Sequence, residues 1–367
     1  SDLRACCIAA LGHAASDGSA MRRTQVRAKL VVGVTKRTWS DPVLAAAPFA
    51  RVNMGDASGL QALHDELGRF RKPQALRQSM ALALGAHAKG APGRETELLL
   101  ASAQRDPDPL ARRYAIVGLG QRAPAADQMT REAIEARRVT GRFYLSALQG
   151  HQVQQADRPW VYLGAALYAQ KDAPQAKHVT AALVKAAVGG GDRNARAAAV
   201  VALGLLGGPT ARGTLRELFK QTRDQALRPY VAEAMGLLRD KESRGILLTL
   251  VKKDGTPEVR YRAALGLGYL ADRSLVDELV GALQSARSEP VRAALTRGSG
   301  ESGDRSAIST LVKIASDQGQ DDLTRGRAIA ALGLIGETAN PTWTERFKLG
   351  ANRGAATPTL KAVLSIF

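Results

Sequence analysis

In residues 256–274, TPEVRYRAALGLGYLADRS, the apolar residues Val259, Ala263, Leu267 and Leu270 stand three or four apart. That spacing lays them along one face of an α-helix. A short turn follows, then a second helical run, SLVDELVGAL, from Ser274. The same second run recurs as ESRGILLTLV from Glu242 and as RSAISTLVKI from Arg305. The pattern predicts an all-α chain built of helical hairpins.

The hairpins share a register. Arg260 is followed eight residues later by Gly268, and the same interval separates Arg4/Gly12, Arg77/Gly85, Arg112/Gly120, Arg142/Gly150, Arg196/Gly204, Arg228/Gly236, Arg292/Gly300 and Arg325/Gly333. From Arg196 to Arg325 the marker arginines advance by 32, 32, 32 and 33 residues. Four residues ahead of the marker stands a helix-capping residue: Asp108, Asp192, Asp224, Thr256, Ser288 or Asp321. Such side chains accept from the free amides of a first helical turn, and Pro109 and Pro257 take the next position, where no N–H is needed. Gly204, Gly268 and Gly333 sit inside their helices at a cost of about 1 kcal/mol each relative to alanine, so their recurrence predicts a neighbouring backbone passing too close for a side chain. Gly207 and Gly336 are placed to end helices.

The register predicts a repeat array over residues 1–339, irregular over 1–190 and regular over 191–339, closed by a capping segment at 340–367. Residues 41–70 read as a hairpin lacking the marker arginine, and 158–188 as another with Trp160 at the origin.

DPDPLARRYAIVGLG (106–120) and TPEVRYRAALGLGYL (256–270) resemble HEAT repeats, specifically the short HEAT-like type of phycobilisome lyases. The resemblance implies a right-handed superhelical α-solenoid of about ten hairpins, with the first helices lining an inner, concave surface. It also implies a ladder of aspartates and arginines between successive repeats. The arginines matching it are Arg112, Arg196, Arg228, Arg260, Arg292 and Arg325, and the matching aspartates are Asp106, paired with Arg112, and Asp254, paired with Arg260. A cation in the first turn opposes the helix dipole, so these arginines need acceptors and read as framework rather than as ligand contacts.

Composition narrows the function. Hydrophobic residues make up 45% of the 367 and aromatics only 4%, which suits closely packed alanine- and leucine-rich helices. The formal charge of +18 attracts polyanions, whether nucleic acid, acidic lipid or an acidic protein, and does not choose among them. Cys6 and Cys7 are adjacent and build no disulfide framework. His13, His64, His87, His151 and His178 are dispersed, without metal-ligand spacing. GSGESG at 298–303 matches a dinucleotide fingerprint literally, but its first glycines fall inside a predicted helix instead of after a strand. These residues predict no enzyme, metal or cofactor.

The tyrosines, Tyr114, Tyr144, Tyr162, Tyr168, Tyr230, Tyr261 and Tyr269, all fall on first helices or candidates for them. With the concave placement that the resemblance implies, Tyr230, Tyr261, Arg262, Tyr269 and Arg297 form an aromatic and basic strip suited to a protein partner. The expected function is a non-catalytic binding or assembly scaffold. The alternatives are a nucleic-acid binder, using clusters such as MRRTQVRAKL, RFRKP, EARRVTGR and VKKD, and a chromophore-lyase-like enzyme. No run of about 18 apolar residues spans a bilayer. The closing TPTLKAVLSIF resembles the ends of secreted bacterial HEAT-repeat proteins, so a cytoplasmic and an envelope or secreted location are both expected candidates, with any upstream signal lying outside this chain.

Overall fold

The computed structural model describes residues 74–86 and 92–336, short of positions 126, 190, 223, 255 and 271–272, together with Met21, Thr24 and Gln25. Among the described residues every regular element is helical. The helices are α1 (Gln74–Ala86), α2 (Pro92–Arg105), α3 (Pro109–Arg122), α4 (Arg131–Leu148), α5 (Arg158–Ala169), α6 (Ala173–Val188), α7 (Arg193–Leu206), α8 (Pro209–Gln221), α9 (Arg228–Leu237), α10 (Arg244–Lys253), α11 (Pro257–Tyr269), α12 (Val276–Ser285), α13 (Glu289–Glu301), α14 (Ile308–Ser316) and α15 (Asp322–Gly336). The expected hairpin at 41–70, the markers Arg4 and Gly12, both cysteines and the segment 340–367 lie outside the described residues.

The chain forms two compact units, Ser1–Val179 and Thr180–Phe367, with the boundary inside α6. In the first unit α1, α3 and α5 pack as a row, α2 lies against α3 and α4, and α4 lies against α5. In the second unit α7, α9, α11, α13 and α15 form a row in which each helix packs on the next. There α8, α10, α12 and α14 each pack against the row helix that follows. The inner row helices are enclosed almost all round: every residue from Pro229 to Leu237 is buried in α9, whereas α15 leaves Ile329 exposed. The intervening helices bury one stripe only, Ala211 and Leu215 in α8 and Leu311 in α14, as helices with one neighbouring layer do.

Helix starts follow the capping residues. Asp108, Asp192 and Asp321 accept from the amides of Ala111, Ala195 and Thr324 at 3.0, 2.9 and 2.7 Å. Asp224 caps an intervening turn instead, accepting from the Ala226 amide at 3.0 Å before α9 begins at Arg228. Thr256 and Ser288 hold the N-cap position without a side-chain cap bond. One interval proves coincidental: Arg142 lies on α4, an intervening helix packed on α2 and α5, and Gly150 sits beyond its end with φ +95°. The Trp160 hairpin at 158–188 is formed by α5 and α6.

Glycines mark where row helices touch. A Cβ on Gly120 would stand 2.1 Å from the Gly164 carbonyl oxygen, and one on Gly236 would stand 2.2 Å from Gly266 Cα. On Gly204 it would meet the Ala234 oxygen at 2.7 Å. Backbone thus meets backbone, which glycine alone permits. Gly333 has no such neighbour among the described residues.

Gly236→Ala is expected to destabilise the second unit by about 1–3 kcal/mol through overpacking. Gly213→Ala, in α8 with open space at its Cα, is expected to stabilise it by roughly 0.5–1 kcal/mol. Denaturant titration followed by circular dichroism checks both signs.

Candidate binding surface

The marker arginines sit in the first turns of row helices, where their guanidinium groups reach across to the next repeat. Arg77 meets Asp106 at 3.1 Å, Arg112 meets Asp157 at 3.1 Å, and Arg196 meets Asp224 at 3.4 Å. Arg228 meets Asp254 at 3.8 Å and Arg292 meets Asp321 at 2.9 Å. The rungs therefore run forward from each arginine to the aspartate ahead of the following row helix. The pairing expected within one repeat, Asp106 with Arg112 and Asp254 with Arg260, is replaced by backbone contacts. Arg112 Nη1 donates to the Asp106 carbonyl at 2.9 Å, and Arg260 Nη1 to the Asp254 carbonyl at 3.3 Å. The reason is reach: an aspartate just ahead of a helix presents its carboxylate to the preceding repeat while accepting an amide of its own turn. Asp106 does so from Asp108 N at 2.9 Å, and Asp254 from Thr256 N at 2.8 Å. Arg325 donates to the Ala315 carbonyl and approaches Asp322, each at 3.4 Å.

Three rung carboxylates, Asp157, Asp224 and Asp321, escaped the sequence reading as rung partners. Asp224 and Asp321 were visible there as caps, and a cap aspartate can serve both neighbours at once. Asp240 was missed entirely. It is buried between Arg216, at 2.6 Å, and Ser243 Oγ, also at 2.6 Å. Burial raises its carboxyl, but the Arg216 and Ser243 hydrogen bonds and the nearby cations outweigh burial and hold it below the ordinary aspartate value.

The five residues of the predicted strip are interior or nearly so. Arg262 is 0% exposed, Tyr230 1%, and Tyr269 and Arg297 6% each; Tyr261 is half-buried. They do come together. Arg262 lies over the rings of Tyr230 and Tyr261 at 5.0 and 5.7 Å, and Arg297 lies over Tyr269 at 5.3 Å. Arg262 is also held by Glu233 at 2.5 Å and Glu258 at 2.9 Å. Burial alone would lower its guanidinium, but the two glutamates more than compensate and keep it charged. Burial pushes the Tyr261 hydroxyl up to about 12. As an open contact face the strip is corrected: row helices on either side and the intervening helices beneath leave these side chains little solvent. Tyr144, on α4, is likewise interior, donating to the Ile116 carbonyl at 2.5 Å.

Solvent instead meets the intervening helices. In the second unit Arg212, Lys220, Lys252, Lys253 and Lys313 are exposed there, along with Ile308 and Val312. His151 and His178 are exposed and apart, and among the described residues no cluster has the composition of a metal site. No described helix is long and apolar enough to cross a membrane.

Within each unit the fold and its rungs define a helical-repeat protein built of stacked hairpins. Residues 180–268 and 246–333 match the family model for HEAT repeats, and over that span the chain is a HEAT-repeat protein. No curated protein matches the sequence. Among solved structures the chain is similar to YibA of E. coli, at 18% identity and TM-score 0.41, covering 75% of this chain and 96% of that one. A Kap95:Nup1 complex aligns at 12% identity and TM-score 0.39, over 95% of this chain and 57% of that one. Human deoxyhypusine hydroxylase in complex with glycerol aligns at 14% identity and TM-score 0.29, over 91% and 97%.

Arg262→Ala leaves Glu233 buried without its cation and is expected to cost about 3–5 kcal/mol, whereas the double variant Arg262→Met, Glu233→Leu recovers much of that loss. Thermal melts of the three proteins decide it. Asp240 stabilises the fold fully above the ordinary aspartate value of 3.8 and loses that contribution as pH falls through its lowered folded value. Asp240→Asn is therefore expected to flatten the decline in melting temperature below about pH 4, measured against the parent chain.

Proposed function

We propose that this chain is a non-catalytic scaffold that holds an acidic protein along the solvent-facing helices α8, α10, α12 and α14. The observation that carries this reading is the division of labour in the second unit. Row helices direct their arginines and aromatic rings at one another, while each repeat adds one open helix to a continuing face. HEAT repeats across residues 180–333 support the scaffold reading, because stacked hairpins create long surfaces without a central pocket. The formal charge of +18 supports the acidic partner, since a field of that sign concentrates and steers anionic proteins. Partner contact through the open helices replaces the enclosed tyrosine strip as the recognising element.

Affinity capture of the tagged chain, nuclease-treated and cross-linked before mass spectrometry, tests the reading. The expected result is a stoichiometric acidic protein, recovered several-fold less well by a Lys220→Glu, Lys253→Glu variant of unchanged melting temperature, and less well in high salt. Recovery that disappears with nuclease, or that is undiminished in the variant, overturns it.

A further inference from the structure

Among the described residues the rung at Arg260 lacks its acid. Arg260 stands where Arg228 and Arg292 stand, yet no carboxylate among the described residues pairs with it, and its one recorded donation is to the Asp254 carbonyl. The place of the missing group is identifiable. Asp254 closes α10 with φ −69° and ψ 135°; Ala286 closes α12 with φ −74° and ψ 121°. Each stands six residues ahead of its marker arginine, Arg260 or Arg292. Asp254 Oδ1 accepts the Thr256 amide at 2.8 Å, whereas the corresponding Ser288 amide has no acceptor among the described residues. Ala286 thus stands at the position that Asp254 holds one repeat earlier, and Ser288 at the position from which Asp224 and Asp321 serve Arg196 and Arg292.

The vacancy opens into a cavity. About 360 Å³ in volume, it is lined by Arg260, Lys252, Arg287, Ser285, Ala286 and Ser288, together with two buried valines and no acidic side chain among the described residues. Arg260 is half-buried at its floor, and Lys252 and Arg287 are exposed at its rim. Three cations and two hydroxyls around a concave site of this size suit an anionic group brought in from outside, and the volume admits a side chain with adjoining backbone. Arg260 offers the planar fork that its counterparts already use on carboxylates.

We propose that this cavity is a receptor for a carboxylate side chain of an acidic peptide, which completes from outside the rung that Ala286 leaves open. The proposal rests on the acidic-partner reading above and locates one of its contacts. The carboxylate enters past Lys252 and Arg287, meets the Arg260 guanidinium and accepts from Ser288. Affinity from one such contact is modest and salt-dependent; its value lies in fixing the register of the partner along the repeat face.

The test titrates a fluorescein-labelled hexa-aspartate peptide into the full chain at low salt, by anisotropy. Two variants separate the site from the general field. Ala286→Asp installs the carboxylate within the chain. It is expected to raise the melting temperature by roughly 2–4 °C, the shift for about 1 kcal/mol in a unit of this size, and to weaken the peptide at least tenfold. Lys252→Ala, at the rim, is expected to weaken it several-fold at unchanged melting temperature. Equal peptide affinity in the parent chain and Ala286→Asp overturns the cavity assignment while leaving the acidic-partner reading intact. Absence of peptide binding in all three proteins overturns both. Displacement of the peptide from the parent chain by inorganic phosphate at concentrations where matched chloride and acetate have no effect overturns the carboxylate as ligand and assigns the site to phosphate.

Discussion

Successive row helices approach until main chain meets main chain, and the rest of the molecule is organised around that contact. Gly120 against Gly164 and Gly236 against Gly266 leave no space for even a methyl group. An approach this close demands small residues along the contact line, which accounts for the alanines of α7 and α9. It also encloses α3, α9, α11 and α13 each between two other row helices, so their polar groups must be satisfied by neighbouring repeats.

The charges follow from that enclosure. A guanidinium in the first turn of a helix lies at the unfavourable end of the dipole, and the next repeat supplies a carboxylate at a matching distance. Since Asp106, Asp224, Asp254 and Asp321 also accept an amide of their own turns, one side chain there ties the start of a helix to the repeat before it. Interior ion pairs such as Arg262 with Glu233 are costly to desolvate, and their worth lies in specifying one alignment of neighbouring hairpins as much as in stability. A rung without its acid is then an exception with chemical consequences, because the donors remain while the acceptor is gone.

The intervening helices are free of these demands. Packed on one side only, they tolerate charged and branched residues on the other, and the repeat delivers them at regular intervals. Recognition in such a molecule falls to the layer that stacking leaves open.

Helix positions, the repeat period and the caps Asp108, Asp192 and Asp321 were legible in the sequence, because each depends on residues within one or two turns of one another; the close approach at Gly204 was legible only through the recurrence of glycine. Rung partners were not: whether Arg112 reaches Asp106 or Asp157 depends on how far one hairpin is displaced from the next, a distance no local pattern records. Arg262 and Tyr230 illustrate the same divide. Residue type suggested a contact face, but exposure depends on how tightly neighbouring helices close over a position. Local spacing by itself determined which segments become helices and where they begin; only the packing of one repeat on another decided which charges pair, which rings are covered and which arginine is left facing an open cavity.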